Sequence, residues 1–267
     1  MRRIYLKGIG LFFLILISLL VLVACQEKKS GISENPPLPG FREAESDSQA
    51  IVIADQVMEK LGGRKNWDNT RYICWNFFGR RFHVWDKWTG NIRLEAKNLL
   101  VLMNIHSREG RAWQNGKEIT HPDSLREKLQ FGYEAWVNDS YWMFMPYKLK
   151  DSGVILKYLG ADTLQDGQPA DVLQLSFSGV GVTPHNKYHI YVSRKSRLVK
   201  QWAYFADAAD DTPRFVLPWD NWKQYGKILL ASDRGENRVI TDIAVFDSLP
   251  SSVFEDPRPV DVMSFIP

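Results

Sequence analysis

The sequence predicts an α+β domain in which a curved antiparallel β-sheet, a half-barrel, wraps around two helices. Three observations lead there. Short segments with period-two alternation follow one another from about residue 70, separated by turns rich in Gly, Asn and Asp. Two other segments, 48–61 and 120–137, carry the three- and four-residue apolar spacing of a helix. Aromatic residues make up 13% of the chain and include 10 Trp, which favours strands and either a thick core or an aromatic-lined cavity. A sheet of so many strands does not stay flat, because strand twist makes it curl.

Ahead of that domain lies a different kind of sequence. Arg2, Arg3 and Lys7 form a basic start, and 9–24 is almost wholly apolar. This run is shorter than the roughly 20 residues of a comfortable membrane span, and it fits the apolar stretch of an export signal over residues 1–24. It ends in Leu22-Val23-Ala24-Cys25, which resembles the lipobox of bacterial lipoproteins. The resemblance implies cleavage before Cys25 and a diacylglycerol thioether on its thiol. The other reading is an ordinary secretory signal or short anchor helix with a chance Cys. Buried acyl methylenes contribute about 0.8 kcal/mol each, so two or three chains hold a protein on a membrane without spanning it. Gln26, where an Asp would imply inner-membrane retention, points by the same resemblance to the outer membrane. Residues 25–47 are polar, with Pro36, Pro37 and Pro39 clustered, and read as the lipidated N-terminus and a flexible tether.

The folded part is expected over 48–267. Ile51, Ala54, Met58 and Leu61 form one helical face, Asp47 or Ser48 caps its start, and Gly62-Gly63 ends it. Segment 70–78 alternates, with Tyr72, Cys74 and Asn76 on one side and Ile73, Trp75 and Phe77 on the other. Strands are expected at 81–88, 92–96, 99–106 and 111–114, and Asn115-Gly116 is a strong hairpin signal. The second helix, 120–137, has Pro122 in its first turn and Leu125, Leu129, Tyr133 and Trp136 on one face. Asp139 and Ser140 then read as turn residues. Strands are expected again at 141–149, 154–164, 170–177, 187–193 and 198–206, with a last hairpin of 222–230 and 238–246. No repeat of 20–50 residues is present.

Charge and cysteine narrow the function. Without Arg2, Arg3 and Lys7 the chain carries 31 basic and 31 acidic residues, whereas a nucleic-acid binder carries a clustered basic excess. No nucleic-acid partner is expected. With Cys25 assigned to lipid, Cys74 has no intramolecular disulfide partner. A lone thiol in an oxidising envelope is safest in the core, and Cys74 is placed there rather than in catalysis.

The element order, the lipobox and the tail Leu249-Pro250-Ser251-Ser252-Val253-Phe254-Glu255-Asp256-Pro257 resemble the outer-membrane lipoprotein-sorting (LolA/LolB-like) superfamily. That resemblance spans most of 48–262. It implies an N-terminal helix, an antiparallel half-barrel closed by helices, an apolar cavity for acyl chains, and a closing strand with a Phe-plus-Pro ending. A closer resemblance is to uncharacterised bacterial secreted lipoproteins. It rests on Asn138-Asp139-Ser140-Tyr141-Trp142, Met145-Pro146-Tyr147-Lys148-Leu149, Gly153-Val154, Gly181-Val182-Thr183-Pro184 and Leu198-Val199-Lys200-Gln201-Trp202. It implies no activity.

Several groups could suggest chemistry. His185 and His189 are four apart, but on a strand that spacing spans roughly 13 Å, too far for one metal. Asp207, Asp210 and Asp211 lack the loop pattern of an EF-hand and read as a solvated acidic loop. Gly179-Val180-Gly181-Val182 lacks the Gly-Lys-Ser/Thr of a phosphate loop. Ser140 with Asp139, and with His83 or His106 as base, is the hydrolase alternative, but no Gly-x-Ser-x-Gly elbow surrounds it. No metal, cofactor or catalytic residue is therefore expected. The remaining candidates are the rings Trp75, Phe77, Trp85, Trp113, Trp142, Trp202 and Tyr204, with Trp88 beside them, all on expected strands. Either they line a concave apolar site or they fill the core against the helices. The expectation is a non-catalytic envelope lipoprotein, lipid-anchored at the outer membrane and facing the periplasm, that binds a lipid or acyl chain on these rings; the alternative is a filled-core module that recruits a protein.

Overall fold

The computed structural model describes residues 34–179 and 183–266. The expected export signal, Cys25 and the first part of the expected tether, to residue 33, lie outside the described residues, as do Val180, Gly181 and Val182. One compact unit spans Pro37–Pro267, so it begins ahead of residue 48. The reason is backbone pairing: Leu38 donates its N–H to the carbonyl of Lys150 (3.0 Å), Arg42 to Val154 (3.1 Å) and Asp47 to Leu156 (2.8 Å). This stretch lies along an otherwise open sheet edge, which would invite pairing with another chain.

Helix α1 (Ser48–Lys60) buries Ala50, Ile53, Ala54, Val57 and Met58. Its buried stripe is rotated from the expected one, leaving Ile51 half-buried. The Asp47 carboxylate accepts from the Tyr158 N–H and pairs with Lys157, both at 3.0 Å, so it ties α1 to the sheet rather than capping the helix. Gly62 follows at φ +112°, and a Cβ there would meet the Lys227 carbonyl oxygen at 2.3 Å. Helix α2 (Arg64–Asn69) was not expected; six residues are too few to show a period.

The meander that follows is β1 (Tyr72–Phe77), β2 (Arg81–Asp86), β3 (Asn91–Ala96), β4 (Leu99–Asn104), β5 (Gly110–Gln114) and β6 (Lys117–Glu118). Asn115 and Gly116 both take positive φ, 54° and 74°, as a two-residue hairpin turn demands. Then comes α3 (Pro122–Phe144), followed by β7 (Val154–Thr163), β8 (Pro169–Phe177), β9 (Lys187–Ser193), β10 (Val199–Phe205), β11 (Phe215–Pro218), β12 (Asp220–Tyr225), β13 (Ile228–Asp233), β14 (Ile240–Phe246) and α4 (Ser252–Glu255).

The fold is α+β, with antiparallel sheets that do not close into a barrel. The strands form three ladders: β14-β1-β2-β3-β4-β5-β6, then β11-β10-β9-β8-β7, then the pair β12-β13. The last strand thus returns to pair with the first, Tyr72 opposite Phe246. The expected strand 222–230 is two strands, because Gly226 at φ +56° turns the chain inside it.

The main correction concerns 138–149. Helix α3 runs on to Phe144 and passes into a 3-10 turn, Met145–Tyr147. Asp139 and Ser140 are therefore buried helix residues, not turn residues, and Trp142 is on a helix, not a strand. Tyr141-Trp142-Met143-Phe144 reads as a strand by propensity. A helix enclosed by sheet, however, is apolar around much of its girth and loses the amphipathic signal. The tail differs too: 249–257 forms α4 rather than a closing strand.

The long meander has two buried faces. Ile73, Trp75 and Phe77 of β1 join the main core, which also takes in α1, the second half of α3 and strands of all three ladders. Tyr72, Cys74, Val84, Ala244 and Phe246 face the other way and are covered by Leu249, Val253 and Val262 of the tail. Arg93 fastens that tail, its buried guanidinium donating to the carbonyls of Asp256 (2.9 Å) and Arg258 (3.0 Å). Cys74 is buried as expected, and burial pushes its thiol up to about 12.

Candidate functional site

The second half of α3 faces the sheet β7–β11 across a cavity of about 440 Å³. Helical geometry sets one wall. Trp136 and Ser140, Val137 and Tyr141, and Asn138 and Trp142 are each four apart, so they stack in rows toward the sheet. Strand pairing sets the other wall. Trp202 and Tyr204 share one face of β10; Tyr204 lies opposite Tyr188 of β9 on one side and Phe215 of β11 on the other. Phe177, at the end of β8, completes the apolar lining.

The rings hold one another in place. Tyr188 stacks flat on Trp202, with centroids 5.4 Å apart and an interplanar angle of 3°. Trp142 meets Trp202 edge-on at 4.7 Å, and Tyr204 stacks on Phe215 at 5.1 Å. Such pairs add about 0.5–1.5 kcal/mol beyond their buried area. The polar lining is buried Asn186, exposed Thr183 and Ser152, and the Lys148–Asp151 ion pair (2.9 Å). Burial raises the Tyr188 hydroxyl to about 12 and drives the Tyr141 hydroxyl upward as well, so these two phenols stay neutral.

Of the seven rings singled out from sequence, Trp142, Trp202 and Tyr204 come together around this cavity. The others do not. Trp75 is wholly buried, stacked on His83 at 4.6 Å and edge-on to Phe144 at 5.1 Å. Phe77 packs between Phe78 and Trp142. Trp113 lies on the side of β5 away from Ala112, under the Arg111 guanidinium, 4.6 Å from its ring. Trp85 borders a second pocket together with Trp88, which is 59% exposed. Sequence reasoning missed Trp136, Tyr141, Phe177, Tyr188 and Phe215. The one signal available was the alternation in 187–193, which puts Tyr188 on the face of Ile190 and Val192.

Behind the cavity is a buried polar cluster that joins α3 to the long meander. Asp139 accepts from Arg81 through Nε (2.6 Å) and Nη2 (2.7 Å), and from His83 Nε2 (2.7 Å). Burial alone would raise the Asp139 carboxyl, but the bonds from His83 and Arg81 hold it below its ordinary value. Burial pushes His83 down and outweighs the opposing bond and charge of Asp139, with the Arg81 charge adding to the lowering, so the imidazole is neutral at neutral pH. Neutral His83 donates from Nε2 and leaves Nδ1 without a partner among the described residues. Ser140 donates to the Val137 carbonyl (3.2 Å) within its own helix. No hydrogen bond links Ser140 to His83.

Other groups weighed from sequence are dispersed. Among the described residues no three His, Cys, Asp or Glu side chains group to hold a metal. In the acidic loop Asp207 and Asp210 bind backbone N–H groups, and Lys187 donates to the Ala208 and Asp210 carbonyls. No helix among the described residues is long and apolar enough to cross a membrane.

No protein family matches the sequence, and no curated protein does either. Among solved structures, the chain is similar to a DUF1329 family protein from Desulfovibrio piger, with a TM-score of 0.40 and 12% identity over 78% of this chain and 97% of that one. It is also similar to MucB, with a TM-score of 0.25 and 15% identity over 60% of this chain and 53% of that one.

Proposed function

We propose that this chain is a non-catalytic lipoprotein of the cell envelope, anchored through Cys25, whose domain binds an apolar ligand such as an acyl chain in the α3–sheet cavity. The observation that carries the proposal is a volume of about 440 Å³ walled by rings on both sides. Small-molecule sites are mostly apolar spaces of about 300–1,000 Å³ with a few placed polar groups. Each buried methylene contributes about 0.8 kcal/mol, so ten give about 8 kcal/mol before the cost of association. The stacked rings need no rearrangement to present that surface, which reduces the ordering cost of binding. The Lys148–Asp151 pair, with exposed Ser152 and Thr183, leaves a polar end in water.

The test is lipid content and probe displacement. Full-length protein, extracted from membranes and exchanged into nanodiscs, is assayed by native mass spectrometry and by displacement of a fluorescent fatty acid. A bound lipid and saturable displacement are expected, with binding weakened at least about tenfold by Phe215→Ala, since the half-buried ring lines the cavity. Absence of both bound lipid and probe binding sinks the proposal.

A further inference from the structure

A second pocket, of about 280 Å³, opens beside the first. The two share the Lys148–Asp151 pair as a common border. They also touch through indoles, because Trp85 of the second meets Trp136 of the first edge-on at 5.3 Å. Their walls differ in charge. The second pocket combines Trp67, Trp85 and Trp88 with three cations, Arg64, Lys87 and Lys148, against two carboxylates, Asp68 and Asp151.

Two of those cations have carboxylate partners: Arg64 bonds Asp68 at 2.8 Å and Lys148 bonds Asp151 at 2.9 Å. Lys87 forms no ion pair among the described residues; its ammonium donates to the Trp67 carbonyl. The same nitrogen sits 3.9 Å from the centroid of the Trp67 ring. Trp67 is itself fixed by stacking on Tyr147 at 4.2 Å. An ammonium taken partly out of water with no carboxylate in contact is costly, and an entering anion relieves that cost. Burial accordingly pulls Lys87 down to about 7; Asp68 opposes this, while Arg64 and Lys148 add to it.

We propose that the pocket around Lys87 is an oxyanion site that seats the headgroup of an amphiphile whose apolar part fills the larger cavity, and this rests on the apolar-ligand reading above. Lys87 supplies the charge, and Lys148 stands at the junction of the two pockets. The indoles of Trp85 and Trp88 flank the headgroup, Trp88 being fixed by its N–H bond to the Asp68 carbonyl (3.0 Å). The ligand class is therefore an anionic lipid, with phosphate or carboxylate next to the chain, rather than a neutral one.

The experiment uses full-length protein in nanodiscs of zwitterionic lipid. Three soluble probes are titrated at pH 6 and pH 8.5: dihexanoylphosphatidylglycerol, dihexanoylglycerol, and glycerophosphoglycerol, which has no acyl chain. None of them titrates in that range, so pH dependence reports on the protein. At pH 6 the anionic amphiphile is expected to bind at least about tenfold more tightly than the neutral one, as one charge-assisted contact provides. The preference shrinks at pH 8.5, where Lys87 has lost its proton, and it vanishes in Lys87→Met while binding of dihexanoylglycerol is unchanged. Equal binding of the two amphiphiles by wild type, or a preference that survives Lys87→Met, overturns the headgroup site and leaves the cavity reading intact. Binding of glycerophosphoglycerol alone, lost in Lys87→Met, supports the oxyanion site and overturns the cavity as the seat of the chain. No binding of any probe overturns both.

Discussion

Lowering the pH from 7.5 to 5.5 should destabilise this domain, and part of the loss is carried by His83. Its imidazole is wholly buried between Trp75 and Asp139, and burial holds its proton affinity below the ordinary 6.5. The unfolded chain protonates this ring near 6.5 while the native one does not. In that interval the unfolded state binds more protons, so stability falls as pH falls below 6.5. Linkage caps the His83 share of this loss at about 1.4 kcal/mol, reached when the native ring stays unprotonated over the whole interval. Urea unfolding followed by Trp fluorescence at both pH values measures it. His83→Gln keeps an amide N–H within reach of Asp139 but cannot titrate, so its loss over the same interval is smaller by that share. His189, which burial also lowers, titrates in both proteins and cancels in the comparison. Equal pH slopes for wild type and His83→Gln would refute the reasoning, as would a native His83 that titrates near 6.5 by NMR.

Removing the carboxylate by Asp139→Ala leaves the Arg81 and His83 donors facing the core, and should cost about 3–5 kcal/mol in urea unfolding. The same carboxylate adds an acid limb to wild type. Its lowered native value means its contribution is present above about 3.8 and lost as pH falls below it. Cys74, buried and raised to about 12, should resist iodoacetamide at pH 8 until urea unfolds the domain; rapid labelling of native protein would show the thiol to be accessible. Gly62→Ala should cost at least about 2 kcal/mol, because it strains a positive φ and drives a Cβ into the Lys227 carbonyl. A melting temperature unchanged by that variant would contradict the turn geometry.

Local pattern made much of the fold legible. Strand 187–193 matches β9 residue for residue, and Asn115-Gly116 forms the hairpin turn its chemistry demands. The two faces of β1 divide as the alternation says, with Cys74 on one and Trp75 on the other. These features depend on neighbours within a few residues, which is the range over which sequence carries conformational information. Helix α1 is legible in extent but its stripe is rotated, because the exact face depends on which strand it meets.

The site itself was only half legible, and the reason is physical. A Trp in a strand has the same local signature whether its ring meets another side chain or empty space. Trp75 and Trp202 are equally buried, yet one packs against His83 and Phe144 while the other walls a cavity. Ring content, alternation and the Cys25 motif belong to the sequence by itself. The course of α3 through Trp142, the pairing of Asp139 with Arg81 and His83, and the seat of the Lys87 ammonium against the Trp67 carbonyl and ring were decided only in three dimensions. Each depends on contacts between segments far apart in the chain, whose energies no local window contains.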